Sequence, residues 1–288
     1  MISGRLEEKV FEGTLGRQLA TKPAGGPTFY WLGQAGFVID VSGVRIVIDP
    51  YLSDSLAEKY RGTPRPHIRM MQPPVAPSDI PHVDYVCCTH AHTDHMDPGT
   101  LPALMAANSS TGLIAPRAMR EQALIRSGLA DDRLILVDAG ETFDLAPGLA
   151  LTPTRSAHET LERDDQGNHR FLGYGLTTPS VTLWHSGDGI PFDGLTAEVA
   201  ALNPDITLMP VNGRRPELSN NGVPGNFTLD EAIDVSREVG AAVLIAHHYG
   251  LFDFNTLDPD VIDARGRSET HPQLLRARQS IAFQWSTT

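Results

Sequence analysis

Cysteine is almost absent. The 288-residue chain has two, and they are adjacent, Cys87 and Cys88. Neighbouring side chains of an extended segment point to opposite faces, so these two cannot bridge each other and a disulfide framework is excluded. They read as buried thiols of a reducing compartment, which makes the cytoplasm the expected location. Lying inside an apolar strand rather than at its mouth, they are poor metal ligands. Long apolar runs are missing too: none approaches the roughly 18 residues of a membrane span. The opening MISGRLEEKVFEG lacks the apolar core of a signal peptide. Positive charge is scarce, with 23 Lys and Arg against 35 Asp and Glu, a net charge of −12. Such a surface argues against nonspecific binding to nucleic acid or to anionic membranes. The three tryptophans, Trp31, Trp184 and Trp285, are scattered along the chain and read as core. No G-x-S-x-G is present, so a serine-nucleophile elbow is excluded as well.

What the chain does have is a series of short apolar runs. PTFYWL leads to a GQAG turn, and FVIDV and VRIVID flank Ser42-Gly43 as a hairpin. DYVCC, GLIA, RLILV, LALTPT, LGYGLTT, VTLWHS, ITLMPV and AAVLIAH read as further strands. Asp97 with Pro98 predicts a helix start before LPALMAAN, and PRAMREQALIRSG predicts a helix stopped by Gly128. Thr228 and Glu231 form a capping box for a helix ending before Gly240. Strands and helices interleave without strict alternation, which predicts stacked sheets with helices outside. A single domain over 1–288 is expected, with a helical arm at 1–26 and a C-terminal extension at 257–288. Residues 58–76 form the longest structureless segment, and loops of that length are often functional.

The densest chemistry lies in THAHTDHMDP, Thr89 to Pro98, directly after the apolar run Tyr85 to Cys88. His90 and His92 are two residues apart, so on an extended backbone both imidazoles share a face. Asp94 and His95 continue the cluster as the chain bends toward the next helix. Neutral imidazole and carboxylate together are ligands for zinc, iron and manganese.

The pattern H-x-H-x-D-H on a strand-to-helix turn resembles the metallo-β-lactamase superfamily. Within it, WLGQAGFVID, VIDPYLSDS, HSGDG, PDITLMPVNGR and HHYGLF resemble the branch containing L-ascorbate-6-phosphate lactonase, over roughly residues 28–256. The resemblance implies an α/β fold, a four-layer αββα sandwich with its site along one edge of two sheets. It implies His90, His92 and His158 around a first metal, and Asp94, His95 and a C-terminal histidine around a second. Asp188 would bridge them. The last histidine is open: spacing to Phe252 favours His248, and His247 would then contact substrate. Asp49 reads either as a partner orienting a ligand through hydrogen bonds or as a turn residue before Pro50. Seven of the eleven histidines sit in or beside these motifs.

Two divalent ions, zinc or manganese or else iron, would share a water acidified to near neutral pKa, giving a hydroxide nucleophile. With a single ion, Asp94 would serve as general base. Redox di-iron relatives carry Glu where His92 stands, so His92 favours hydrolysis. His185 and Tyr249 are further catalytic candidates, Tyr249 as an oxyanion donor. Asn212, Arg214, Arg65 and Arg69 are candidate substrate contacts. Arg65 and Arg69 belong, with Lys59 and Arg61, to a basic island in an acidic protein. It reads as a clamp for an anionic substrate or as a solvated loop. The expected activity is metal-dependent hydrolysis of a small anionic molecule, most simply a sugar-acid phosphate lactone. The alternatives are a phosphodiesterase acting on lipid head groups or nucleic acid, and a non-catalytic metal-binding protein. The lactonase branch implies a homo-oligomer, while the acidic charge speaks against a nucleic-acid partner.

Overall fold

FVIDV and VRIVI form the hairpin that their alternation predicts. In the computed structural model, which describes residues 4–287, Val41 pairs with Val44 across Ser42-Gly43. Both turn residues have positive φ, 52° and 76°, which matches the twist of a two-residue hairpin. On the preceding strand, Phe29 and Trp31 enter one apolar cluster while Tyr30 and Leu32 enter another. That is the period of two expected of a strand buried on both faces. Cys87 and Cys88 divide between the same two clusters and remain free thiols.

Strands β1 (Gly4–Val10), β2 (Thr28–Gly33), β3 (Gly36–Val41), β4 (Val44–Ile48), β5 (Tyr85–Cys87), β6 (Gly112–Pro116) and β7 (Leu134–Val137) build one sheet. Strands β8 (Phe143–Ala146), β9 (Leu149–Arg155), β10 (Leu172–Thr177), β11 (Thr182–His185), β12 (Ile206–Pro210), β13 (Val243–His247) and β14 (Gln273–Arg276) build the second. The last strand, β15 (Ile281–Thr287), returns to the first sheet between β1 and β2. The helices are α1 (Leu15–Leu19), α2 (Ser55–Lys59), α3 (Leu101–Ala107), α4 (Arg120–Ser127), α5 (Leu195–Ala200), α6 (Pro216–Ser219), α7 (Leu229–Glu238) and α8 (Pro259–Ser268). Leu15, Leu101, Leu104 and Ala123 bring α1, α3 and α4 into the cluster against the first sheet. Val199, Ile233 and Ile262 bring α5, α7 and α8 into the cluster of the second sheet. The fold is therefore the expected four-layer αββα sandwich.

Chain direction explains where the site lies. β4 and β5 are parallel, and β2 is antiparallel to β3, which is antiparallel to β4. Thus β2, β4 and β5 all run the same way. In the second sheet β11, β12 and β13 are parallel, and β9 joins them by two antiparallel steps through β10. The residues just past β2, β4, β5, β9, β11 and β13 are therefore delivered to the carboxyl ends of their sheets, where ligands of open sheets bind.

Three expectations fail. The helical arm over 1–26 is replaced, from Gly4 onward, by strand β1, paired antiparallel with β15 from Gly4↔Thr287 to Val10↔Ile281; residues 1–3 of that arm lie outside the described residues. The local sequence RLEEKV offers one inward apolar side chain, Leu6, and its strand partner lies at the far end of the chain. Among the described residues of that arm only α1 is helical, capped by Thr14. The C-terminal extension is likewise no appendage, because β14 and β15 are members of the two sheets. Asp97 is not a helix cap either. α3 begins at Leu101, and the Asp97 carboxylate accepts from Ser53 Oγ at 2.7 Å, Ser55 Oγ at 2.6 Å and Gly99 N at 2.9 Å. It ties the histidine turn to the segment after β4.

Candidate metal centre and cavity

The turn after β5 brings His90, His92, Asp94 and His95 into one cluster with His158 after β9, Asp188 after β11 and His248 after β13. Donor atoms of His90, His92 and His158 lie within 4.8 Å of one another, and so do those of Asp94, His95 and His248. A third group, His90, His95 and Asp188, overlaps both sets. Asp188 Oδ2 is 3.2 Å from His95 Nε2, 3.2 Å from His248 Nε2 and 3.8 Å from His158 Nε2. The geometry thus brings all seven expected side chains together, with Asp188 lying between the His90/His92/His158 group and the Asp94/His95/His248 group.

Buried polar atoms without partners mark what the cluster is built to hold. His90 Nε2, His95 Nε2, His248 Nε2 and Asp188 Oδ1 are buried and make no hydrogen bond within the chain. Leaving one such atom unpaired costs about 1–3 kcal/mol, so their convergence fits a cation. Five imidazoles and two carboxylates without a thiolate are the donors of zinc, manganese or iron.

The supports are as specific as the cluster. Asp49, fully buried, accepts from Thr89 N at 2.7 Å, Thr89 Oγ1 at 2.6 Å and His95 Nδ1 at 2.7 Å. Thr89 Oγ1 thereby spends its proton and accepts from His90 Nδ1 at 3.0 Å. In their neutral, ligating form both histidines then keep the proton on Nδ1 and present an unprotonated Nε2 to the cluster. Asp49 is therefore more than a turn residue. Gly187 places Asp188: its φ is +63°, and a Cβ there would stand 2.6 Å from Leu172 O. Ser156 Oγ donates to Asp188 O at 2.7 Å. Phe171 backs the rings of His90, His92 and His158 at 5.0, 5.7 and 5.6 Å.

The electrostatics sort the histidines. Burial pushes His158 down to about 4, and burial together with the neighbouring His95 and His92 holds His90 well below its ordinary range. Both stand neutral at pH 7, the state that ligates a metal. Burial opposes charge on His95 as well, but Asp188, Asp49 and Asp94 outweigh it and raise its pKa well above normal. Asp188 shows the converse: against burial, His248 and His95 hold its carboxyl well below the usual range.

The family model described as the beta-lactamase superfamily domain matches residues 44–249. The chain belongs to this superfamily. A metal-dependent hydrolase of Sulfurisphaera tokodaii is 26% identical over 241 residues, covering 81% of this chain and 89% of the relative. Among solved structures, a metallo hydrolase from Ignicoccus hospitalis has a TM-score of 0.65 at 20% identity, covering 92% of this chain and 100% of its own. An isothiocyanate hydrolase from Delia radicum gut bacteria has a TM-score of 0.68 at 16% identity, covering 91% and 98%. At these identities the two structures speak for the fold alone.

In this metal-dependent hydrolase of the beta-lactamase superfamily, the cluster opens into a cavity of about 250 Å³. His92, Asp94, His158, Asp188 and His248 line its floor. Its walls include Lys59, Tyr60 and His67 from the long irregular segment and Phe252 and Asn255 from the stretch after β13. The 58–76 segment does border the site, through Lys59 of the basic island and through Tyr60 and His67, but not through the expected Arg65 and Arg69. His67 stacks on Tyr60 with ring centroids 4.3 Å apart and meets Phe252 edge-on at 5.0 Å. Arg65 instead donates to Glu217 O at 3.1 Å. Arg69 is folded back, donating to Tyr51 O and Ser53 O at 3.2 and 2.7 Å, with its guanidinium over the Tyr51 ring. Neither lines the cavity.

Other expected contacts are also displaced. Arg214 is held bidentate by Glu231, at 2.6 and 2.5 Å. Asn212 lies one layer behind the wall, its amide donating to Asn255 Oδ1 at 2.9 Å. His185 supports the floor from beneath, with Nε2 donating to Ala35 O at 2.9 Å and Nδ1 accepting from Gly187 N at 3.1 Å. Tyr249 donates its hydroxyl to Ala277 O and stacks on Trp31 at 5.2 Å. His247 is fully buried, stacked on His185 at 5.0 Å, so His248 is the histidine that reaches the cluster. Side chains at strand ends cannot be assigned inward or behind by spacing alone, which is why these expectations miss.

Gln34 is the residue the sequence reading overlooks. It sits in the GQAG turn at φ 51°. Its Nε2 donates to Asp94 Oδ2 at 2.8 Å, and its carbonyl accepts from His248 N at 2.9 Å. One residue thus holds two members of the second ligand set. Gln34→Leu is expected to lower divalent-metal affinity about tenfold, the lower end for losing a partner of a ligand. Competition against a metal-binding dye measures it, and an unchanged affinity removes Gln34 from the site's support.

Proposed function

We propose that the chain opens the ring of a small lactone by adding water to its carbonyl, with a pair of divalent ions held by the two histidine-aspartate sets. The observation that carries this reading is the convergence of seven ligand-type side chains in one cluster, five of which line the floor of one small open cavity. Bound divalent ions would supply Lewis acidity and an acidified water at neutral pH. Asp94 and Asp188, both held below the normal carboxyl range against their burial, remain ionised to accept a proton from the attacking water. In the overall step the carbonyl carbon gains the water's hydroxyl, its bond to the ring oxygen breaks, and that oxygen takes the proton. His90, His92, His158, His95 and His248 orient the centre, while Asp49 and Gln34 fix the orienting groups. A volume of about 250 Å³ suits a small molecule. Lys59 on the cavity wall of an otherwise acidic protein favours a substrate bearing negative charge, as in the sugar-acid phosphate lactones of the branch the sequence resembles.

The test is metal quantification of the purified protein, then turnover of a lactone, a phosphodiester, an amide and an isothiocyanate, each with and without chelator. The expected result is ring opening that chelation abolishes and added zinc or manganese restores. Lactone turnover that survives complete metal removal, or a metal-dependent preference for the phosphodiester, overturns the reading.

A further inference from the structure

A chain of three amides runs from the cluster floor to the cavity wall, and its polarity is fixed from one end. Gly189, next to Asp188, offers only a backbone N–H, which reaches the side-chain oxygen of Asn226 at 3.0 Å. Asn226 has therefore only its NH2 to give, and Nδ2 donates to Asn212 Oδ1 at 3.1 Å. Asn212 in turn donates through Nδ2 to Asn255 Oδ1 at 2.9 Å. Asn226 and Asn212 are buried, 1% and 7% exposed, so solvent does not compete for these bonds. Each amide has one donor end and one acceptor end. Asn255 therefore turns its oxygen toward Asn212, and its NH2, which has no partner among the described residues, is the end left to donate into the cavity it lines. Lys59, on the same cavity's wall, adds a positive charge. Arg215 donates to Phe254 O and steadies the segment that carries Asn255.

We propose that Asn255 is a specificity-determining residue whose amide N–H groups, with the Lys59 ammonium, bind an anionic substituent of the substrate away from its reacting carbonyl. Asn212 and Asn226 are positioning residues that hold this donor polarity. The inference rests on the hydrolase reading above and deepens it: the substrate class becomes lactones or esters carrying a carboxylate or phosphate. A hydrogen bond to a charged acceptor is about twice as strong as a neutral one, so the site selects for charge as well as shape.

Asn255→Asp tests it with little change of shape. The new carboxylate still accepts from Asn212 but turns an oxygen toward the cavity. With metal-loaded protein and two probes, γ-butyrolactone and its ring-carboxylated counterpart, the ratio of kcat/KM for the charged over the neutral probe is expected to fall about tenfold or more. The loss should sit in KM. Lys59→Gln should lower the same ratio in the same direction. An unchanged ratio in Asn255→Asp, with its thermal unfolding intact, overturns the proposal. Titration calorimetry of the carboxylated probe separates the two readings. Binding to wild type that weakens about tenfold in Asn255→Asp, without turnover of either probe, keeps the anion site and removes the lactone reaction. Equal binding to wild type and variant removes the anion site and leaves the hydrolase reading standing.

Discussion

Asp188→Asn is expected to abolish turnover while leaving the fold in place. The carboxylate stands 3.2 Å from both His95 and His248 and 3.8 Å from His158, so it is the anionic group common to the two ligand sets. An amide of the same shape fits the same space but would bring no charge to offset the divalent ions proposed to bind there. Loss of several kcal/mol of transition-state stabilisation by a displaced ion corresponds to about a thousandfold or more in kcat/KM. Metal content should fall with it, measured by elemental analysis after dialysis against trace metal. A second readout is independent of activity. In the metal-free protein, burial opposes charge on His95 and Asp188 is the strongest group raising its pKa, so the variant should move the His95 titration downward in an NMR pH series. Full metal content and ordinary turnover in Asp188→Asn would place the reaction elsewhere.

The two sheets were legible because strand signals are local and short. Alternation in FVIDV and VRIVI and the Ser42-Gly43 turn predict a hairpin whose register the structure reproduces. The His90–His95 cluster was equally legible, since four ligand-type side chains in six residues share one turn. What escaped was of two kinds. β1 and β15 are partners from opposite ends of the chain, and nothing in RLEEKV names IAFQW as its neighbour. The cavity wall depends on which side chain of a segment turns inward. Arg65 and Arg69 promised charge to the substrate, yet backbone carbonyls of Glu217, Tyr51 and Ser53 bind them, and His67 between them faces the cavity. Gln34 escaped for a further reason: within GQAG a glutamine reads as a turn residue, and its partner Asp94 is 60 positions away.

Asp49→Asn should separate ligand orientation from backbone shape. Asp49 has φ 44°, a left-handed conformation that Asn tolerates about as well as Asp, so the backbone gives no reason for the variant to misfold. The side chain is another matter. The carboxylate accepts three hydrogen bonds, from Thr89 N, Thr89 Oγ1 and His95 Nδ1, whereas an amide has one oxygen and must turn its NH2 toward one of these partners. Facing His95, the NH2 requires Nδ1 as acceptor. The ring proton then moves to Nε2, the nitrogen that should carry the free lone pair. From the same Oδ2 position it also reverses the Thr89 hydroxyl that orients His90 through Nδ1, whereas at Oδ1 it sets donor against donor at Thr89 N. The Oδ2 placement costs an imidazole the tautomer that ligates, and the Oδ1 placement breaks the bond that holds the backbone of the histidine turn. The expected cost is about tenfold to a hundredfold in metal affinity, with a matching loss of activity at limiting metal that excess metal partly restores. Nitrogen-15 NMR of the metal-free protein, recorded above the raised His95 titration where the ring is neutral, should show the changed ring tautomer directly. If His90 and His95 both keep a protonated Nδ1 and metal affinity is unaltered, Asp49 has no part in orienting the centre.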